Sequence, residues 1–109
     1  MNICDEFNVK EARMAELCVL IANAHRMTPY PHTRSVADDL RRIASELCTN
    51  PDLERKRQLA IRVKGHFHKD SVFESPPDGV TWNEWQNLGN ELYDLTWIYQ
   101  ESKYSHVRE

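Results

Sequence analysis

"TWNEWQNLGNELYDLTWIYQESKYS", Thr81 to Ser105, holds all three tryptophans and three of the four tyrosines of the chain. It opens with Thr81 and, three residues on, Glu84. This is capping-box spacing, in which the hydroxyl accepts the N3 backbone N–H and the Glu carboxylate accepts the cap's own N–H. Val80 and Trp85 stand where a hydrophobic staple would close around that box. From Trp82 to Tyr104 on a 3.6-residue wheel, Trp85, Leu88, Leu92, Leu95 and Tyr99 fall within about 80° of arc, a narrow apolar seam of the kind that packs into a helical bundle. The stretch therefore reads as one long final helix, and it predicts an all-α fold.

The remaining aromatic residues do not join the seam. Trp82, Tyr93, Trp97 and Tyr104 share a second arc, roughly 100° to 160° from the centre of the first, together with Gln86, Asn90 and Gln100. Glu84, Glu91, Asp94 and Glu101 take much of what is left, and Gly89 between the two arcs lets another backbone approach. A helix wedged between two others would bury both arcs. A binding surface would show the same composition, because Trp and Tyr combine a large apolar area with a polar tip and amides supply adaptable hydrogen bonds. Trp82, Gln86, Asn90, Tyr93, Trp97 and Tyr104 are accordingly the candidate partner-binding residues.

Three further helices are predicted upstream. Asn8 with Glu11 resembles a capping box, and Val9, Ala12, Met14, Leu17, Cys18, Ile21, Ala24 and Met27 follow at helical spacing up to "TPYP". With Val19, Leu20 and Ala22 the second half is apolar almost all round, which predicts the central, most buried helix. Ser35 with Asp38 starts the next, with Val36, Leu40, Ile43, Ala44, Leu47 and Cys48 in one stripe and Asp38 paired to Arg42 on the wet side. Asn50 before Pro51 caps a third, short and basic helix, with Leu53, Ala60, Val63 and Phe67 inward until Gly65 loosens it. "HFHKDSVFESPPDGV" carries turn chemistry at Pro77, Asp78 and Gly79 and reads as an irregular loop before the last helix, with Phe67, Val72 and Phe73 tucked onto the core. The expectation is a compact bundle of about four helices in one domain spanning residues 1–109.

Composition agrees with a globular domain: 40% hydrophobic and 28% charged, with three Gly and five Pro in 109 residues. The longest apolar run, Leu17 to Ala22, is far below the roughly 20 residues that span a bilayer, so no membrane partner is expected. "MNICDEF" lacks the apolar core of a secretory signal, and the odd cysteine count, Cys4, Cys18 and Cys48, suggests reduced thiols; both point to the cytoplasm. The net charge of −3 is uneven: residues 1–50 carry −1, 51–70 carry +3 and 71–109 carry −5. These blocks either attract one another inside the fold or face different partners.

No catalytic set emerges. His66 and His68 in "HFHKD", with His25, His32 and the cysteines, lack any metal-site spacing and read as solvated loop histidines, so neither metal nor cofactor is expected. Glu91 and Asp94 form an E-x-x-D without a partner motif upstream, and no serine or cysteine stands on a nucleophile's turn. The chain is therefore expected not to be an enzyme. Nucleic acid is the alternative partner: helices two and three meet at a tight "CTNPD" turn, and Arg55, Gln58 and Arg62 lie on the outward face of the third, as in a helix-turn-helix. A pI near 5.9, with Asp52 and Glu54 at the tip that would enter a groove, opposes it. The preferred expectation is a small protein-binding module acting stoichiometrically as an adaptor, immunity-type or phage-type inhibitor, whose partner is itself or a larger protein.

Overall fold

The computed structural model describes residues 3–25, 31–69 and 79–100, with the side chains of all but 3–5, 31, 32, 68 and 69. The fold is all-α: α1 (Ile3–Ala24), α2 (Pro31–Cys48), α3 (Leu53–Lys69) and α4 (Trp82–Leu95). α1 packs on α2 and on α4, and α3 packs on the same two helices, which places α2 and α4 at opposite corners of the bundle. No strand occurs among the described residues. Of the expected loop, Phe67 belongs to α3, whereas Val72, Phe73 and Pro77 lie outside the described residues.

The core is a single cluster drawn from all four helices. α1 contributes Phe7, Met14, Leu17, Cys18 and Ile21; α2 contributes Val36, Leu40, Ile43 and Leu47; α3 contributes Leu59, Ala60 and Val63; α4 and the turn after it contribute Trp85, Leu92, Ile98 and Tyr99. Removing side chains of this size from water contributes about 1.5–3 kcal/mol each. α1 touches two neighbours, as each of the other helices does, and is not sealed: Val19 is 39% and Leu20 44% exposed. Two neighbours cannot cover every side of a helix, so an apolar sequence all round did not produce burial all round.

Helix ends depart from the sequence expectation for identifiable reasons. α1 begins before Asn8, which is an exposed mid-helix residue, because Phe7 is buried edge-on against the Tyr99 ring (centroids 5.6 Å apart) and extends the apolar stripe backwards. α2 begins at Pro31 and not at Ser35, since a proline in the first turn loses no hydrogen bond. Arg41, not Arg42, is the partner of Asp38, at 3.1 Å. Asn50 ends α2 instead of starting α3: its φ is +56°, the left-handed conformation typical after a helix, and its N–H donates to the Leu47 carbonyl at 3.0 Å. Asp52 caps α3, its Oδ1 accepting the Arg55 N–H at 2.9 Å. α3 continues through Gly65.

The start of α4 is as read. Thr81 Oγ1 accepts the Glu84 N–H at 3.2 Å and Glu84 Oε2 accepts the Thr81 N–H at 3.4 Å, with Val80 packed on the core and Trp85 buried. Its end is not. The regular helix stops at Leu95 and residues 96–100 continue as tight turns, with N–H groups of Trp97, Ile98 and Gln100 each donating three residues back. This tightening advances the backbone by more than 100° per residue. Ile98 therefore rotates into the core beside Thr96 and Tyr99, which a uniform wheel does not show for Ile98.

A buried polar knot holds that turn. Lys56, 2% exposed, sets its Nζ 3.2 Å from Glu11 Oε2 and donates to Asn50 Oδ1 at 2.8 Å. The Tyr99 hydroxyl donates to the same Glu11 carboxylate at 3.0 Å, and Arg57 Nε donates to the Tyr99 carbonyl at 3.2 Å. A buried ammonium persists only when a carboxylate and hydrogen bonds replace its water. Here they also tie α1, α3 and the turn carrying Trp97 into one unit.

Candidate functional site

α4 separates its aromatic residues as the wheel indicates. Trp85, at 1% exposure, faces the end of α1, where its ring meets His25 edge-on at 5.0 Å; Leu92 lies two turns further along, and Leu88 and Leu95 pack on the core from its margin. On the second arc Trp82 is 50% and Trp97 41% exposed, and Gln86, Asn90 and Gln100 are exposed. Tyr104 lies outside the described residues. Gly89 is buried among the α4 residues that face inward.

Tyr93 and Trp97 are held in place and not left to swing. The Tyr93 ring is half-buried, edge-on to Phe67 of α3 at 5.3 Å and to Trp97 at 6.3 Å. Lys64 Nζ sits 3.8 Å from the Trp97 ring centroid, a cation–π contact worth about 0.5–1 kcal/mol at an exposed site. Partial burial there pushes the Lys64 ammonium below the usual lysine range. Ile61, 55% exposed, lies on α3 between Arg57 and Lys64, and both of these reach the 97–99 segment. The face is thus wider than α4: Ile61, Lys64 and Phe67 border it. In the sequence itself, Ile61 stands off the Leu59, Ala60 and Val63 stripe of its own helix. That was the signal available. An aromatic strip fixed from behind, wet in front and rimmed by amides can bind an apolar surface without large ordering cost.

The alternative site is differently disposed. Arg55 engages the Glu46 carboxylate with both Nε and Nη2, the latter at 2.8 Å, and its Nη1 donates to Gln58 at 3.2 Å. Arg62 pairs with Asp39, which also meets His66 Nε2 at 2.8 Å. Burial would raise the Asp39 carboxyl, but the hydrogen bonds from His66 and Arg62 outweigh it and hold it below its ordinary value. Arg55 likewise holds the Glu46 carboxyl low. Arg55 and Arg62 therefore knit α3 to α2, while Gln58, exposed, braces Arg55 within α3. Phosphate contacts would have to displace these carboxylates. His66 is a helical residue hydrogen-bonded to Asp39, not a solvated loop histidine; the side chains of His32 and His68 lie outside the described residues.

Other titratable groups are placed by the fold. Arg13 bridges Glu16 and Glu91, its Nη2 donating to Glu91 Oε1 at 3.0 Å, and holds the Glu91 carboxyl low. Glu91 thus latches α4 to α1. Burial pushes the Cys18 thiol up to about 12, which leaves it a small apolar core residue. His25 is buried with no hydrogen-bond partner at Nε2 among the described residues, and burial lowers its pKa. No group of three or more His, Cys, Asp or Glu among the described residues could hold a metal, and no described helix is long and apolar enough to cross a membrane. The fold and this face define a small four-helix all-α protein with an aromatic-amide surface. Compared with family models, characterised proteins and solved structures, the chain matches none.

Proposed function

We propose that this protein works by binding another protein in stoichiometric amounts, as an adaptor or inhibitor in the cytoplasm, and not by catalysis. The outer face of α4 is the contact surface, with Trp82 and Trp97 as anchors, Tyr93 as their support and Gln86 and Asn90 at the rim. One observation carries the reading. Within a single segment Trp85, Leu92 and Tyr99 are 2% exposed or less, whereas Trp82 and Trp97 stand at 50% and 41%. Residues 79–100 contain three acids and no base, so the partner's complementary patch combines apolar pockets with basic or hydrogen-bonding groups.

The reading predicts that the wild-type chain retains a partner from its own cell lysate and that the Trp82→Ala/Trp97→Ala variant, shown helical by circular dichroism, does not. Anchor truncations cost about 2 kcal/mol or more of binding, roughly thirtyfold or more in affinity. Retention of the same partner at undiminished affinity by the double variant would remove this face from the function.

A further inference from the structure

The backbone after α4 tightens at one place, and side chains that never reach the surface hold it there. In a helix continued past Leu95, the Trp97 N–H would donate to the Tyr93 carbonyl, four residues back. Instead it donates to the Asp94 carbonyl at 3.2 Å. The Tyr93 carbonyl already accepts the Thr96 hydroxyl at 2.6 Å and the Thr96 N–H at 3.1 Å. A carbonyl oxygen has two lone pairs, and both are taken. Thr96 is 1% exposed, and its ψ of −16° lies nearer the 3₁₀ value than the α-helical one. Three residues on, the segment is fastened again. Tyr99, 2% exposed, gives its hydroxyl to Glu11 of α1 at 3.0 Å, and its carbonyl accepts Arg57 Nε of α3 at 3.2 Å. Trp97 stands between the two fastenings, with Lys64 Nζ 3.8 Å from its ring centroid.

We infer that Thr96 and Tyr99, both buried beyond the reach of a partner, are the positioning residues of the aromatic face and fix where Trp97 points. This rests on the reading of α4 as a contact surface and names what shapes it. A 3₁₀ turn advances about 120° per residue and an α-helix about 100°, so two residues past Leu95 the direction of Trp97 differs by about 40° between the two. At Ile98 the difference is about 60°, the step that carries this side chain from beside the seam into the core. The burial of Ile98 and the direction of Trp97 are therefore set together. Without the Thr96 hydroxyl, the Tyr93 carbonyl opens to the Trp97 N–H; such side-chain bonds to a helix carbonyl are known to bend helices. Without the Tyr99 hydroxyl, the tie to Glu11 that opposes further winding is lost. The chain then winds on as an α-helix and Trp97 leaves Lys64. An anchor held in its binding direction spares the ordering cost of association.

Nuclear magnetic resonance of the full chain reads this without any partner. Lys64 side-chain protons over the face of the Trp97 ring are shifted upfield by its ring current and show Overhauser contacts to it; the Trp97→Ala variant gives their unshifted positions. Thr96→Val and Tyr99→Phe each delete one hydroxyl and keep the shape of the side chain, whereas Thr96→Ser keeps the hydroxyl. Both deletions are expected to weaken the Overhauser contacts and to move the Lys64 protons toward their positions in Trp97→Ala, the double variant furthest. Thr96→Ser should stay at the wild-type positions. All are compared well below their melting temperatures, where a loss of stability alone does not move these signals, and if the double variant fails to fold the single ones decide. Lys64 protons unmoved in either deletion variant, or moved as far by Thr96→Ser as by Thr96→Val, would overturn the inference. Protons that move as expected, with the partner captured by wild type still bound at undiminished affinity, would leave the positioning standing and remove the aromatic face from the function.

Discussion

The α1–α2 half and the α3–α4 half of this bundle are closed by different chemistry. α1 and α2 each sink an aliphatic row, Met14, Leu17 and Ile21 on one and Leu40, Ile43 and Leu47 on the other, all 4% exposed or less. α3 and α4 meet through Phe67 on Tyr93, Lys64 on Trp97 and Arg57 on the Tyr99 carbonyl, contacts that leave large aromatic surfaces wet. Aliphatic rows offer nothing to a partner once packed. A seam made of ring edges and charged stems holds its residues in position while keeping them available, which is why the contact surface proposed above lies in the second half.

The largest expected effect lies where the halves are tied together. Lys56→Ala leaves the Glu11 carboxylate buried beside Phe7 and Tyr99, and removing one member of a buried pair typically costs about 3–5 kcal/mol. Denaturant melts should show that loss, and a Lys56→Met/Glu11→Leu variant should recover most of it. A single change costing under about 1 kcal/mol would mean that the knot does not join the halves. Leu40→Ala tests the aliphatic half alone, with an expected loss of about 2–5 kcal/mol and no effect on partner binding. Loss of binding at undisturbed stability would place function in α2 and break the contrast.

Smaller effects sharpen it. Thr81→Ala removes the hydroxyl that caps α4 and should cost about 1 kcal/mol by thermal melting. Gly65→Ala should raise stability by up to about 1 kcal/mol, because Gly65 lies inside α3 and an added Cβ meets nothing within 4 Å. A drop in melting temperature would show that α3 uses the flexibility of that site. His25 gives a pH signature. Its folded pKa is lowered below the ordinary value of 6.5 by burial, so the unfolded chain binds the proton more readily. Stability from this group is fully present above pH 6.5 and declines as pH falls below it toward the folded pKa. The difference between wild type and His25→Phe, followed from pH 8 down to pH 5, should display that decline in wild type only.

Much of this was legible in the sequence, and the failures share a cause. The Thr81–Glu84 box, the Trp85, Leu92 and Tyr99 seam and the separation of Trp82 and Trp97 follow from spacing alone, because helical periodicity fixes which residues share a face. Helix ends were misread where a polar residue had two available roles: Asn8 and Asn50 both suit a cap, and only the burial of Phe7 and the left-handed turn at Asn50 decide against it. Ile98 was not legible because its burial depends on the tightened turn after Leu95. The ion pairs of Arg55 and Arg62 were illegible because Glu46 and Asp39 come from another helix, and sequence spacing carries no information about such contacts.

Trp97→Ala measured beside Trp85→Ala, each by thermal melting and by affinity for the captured partner, tests the division of labour on α4 most directly. Trp85→Ala should cost about 3–5 kcal/mol of stability, as for any sealed core tryptophan. Trp97→Ala should cost about 1–2 kcal/mol, since it gives up only part of its area and one cation–π contact, while binding weakens at least thirtyfold, about 2 kcal/mol. Equal losses of stability in the two variants, with binding by Trp97→Ala unchanged, would show that both arcs of α4 serve only the fold.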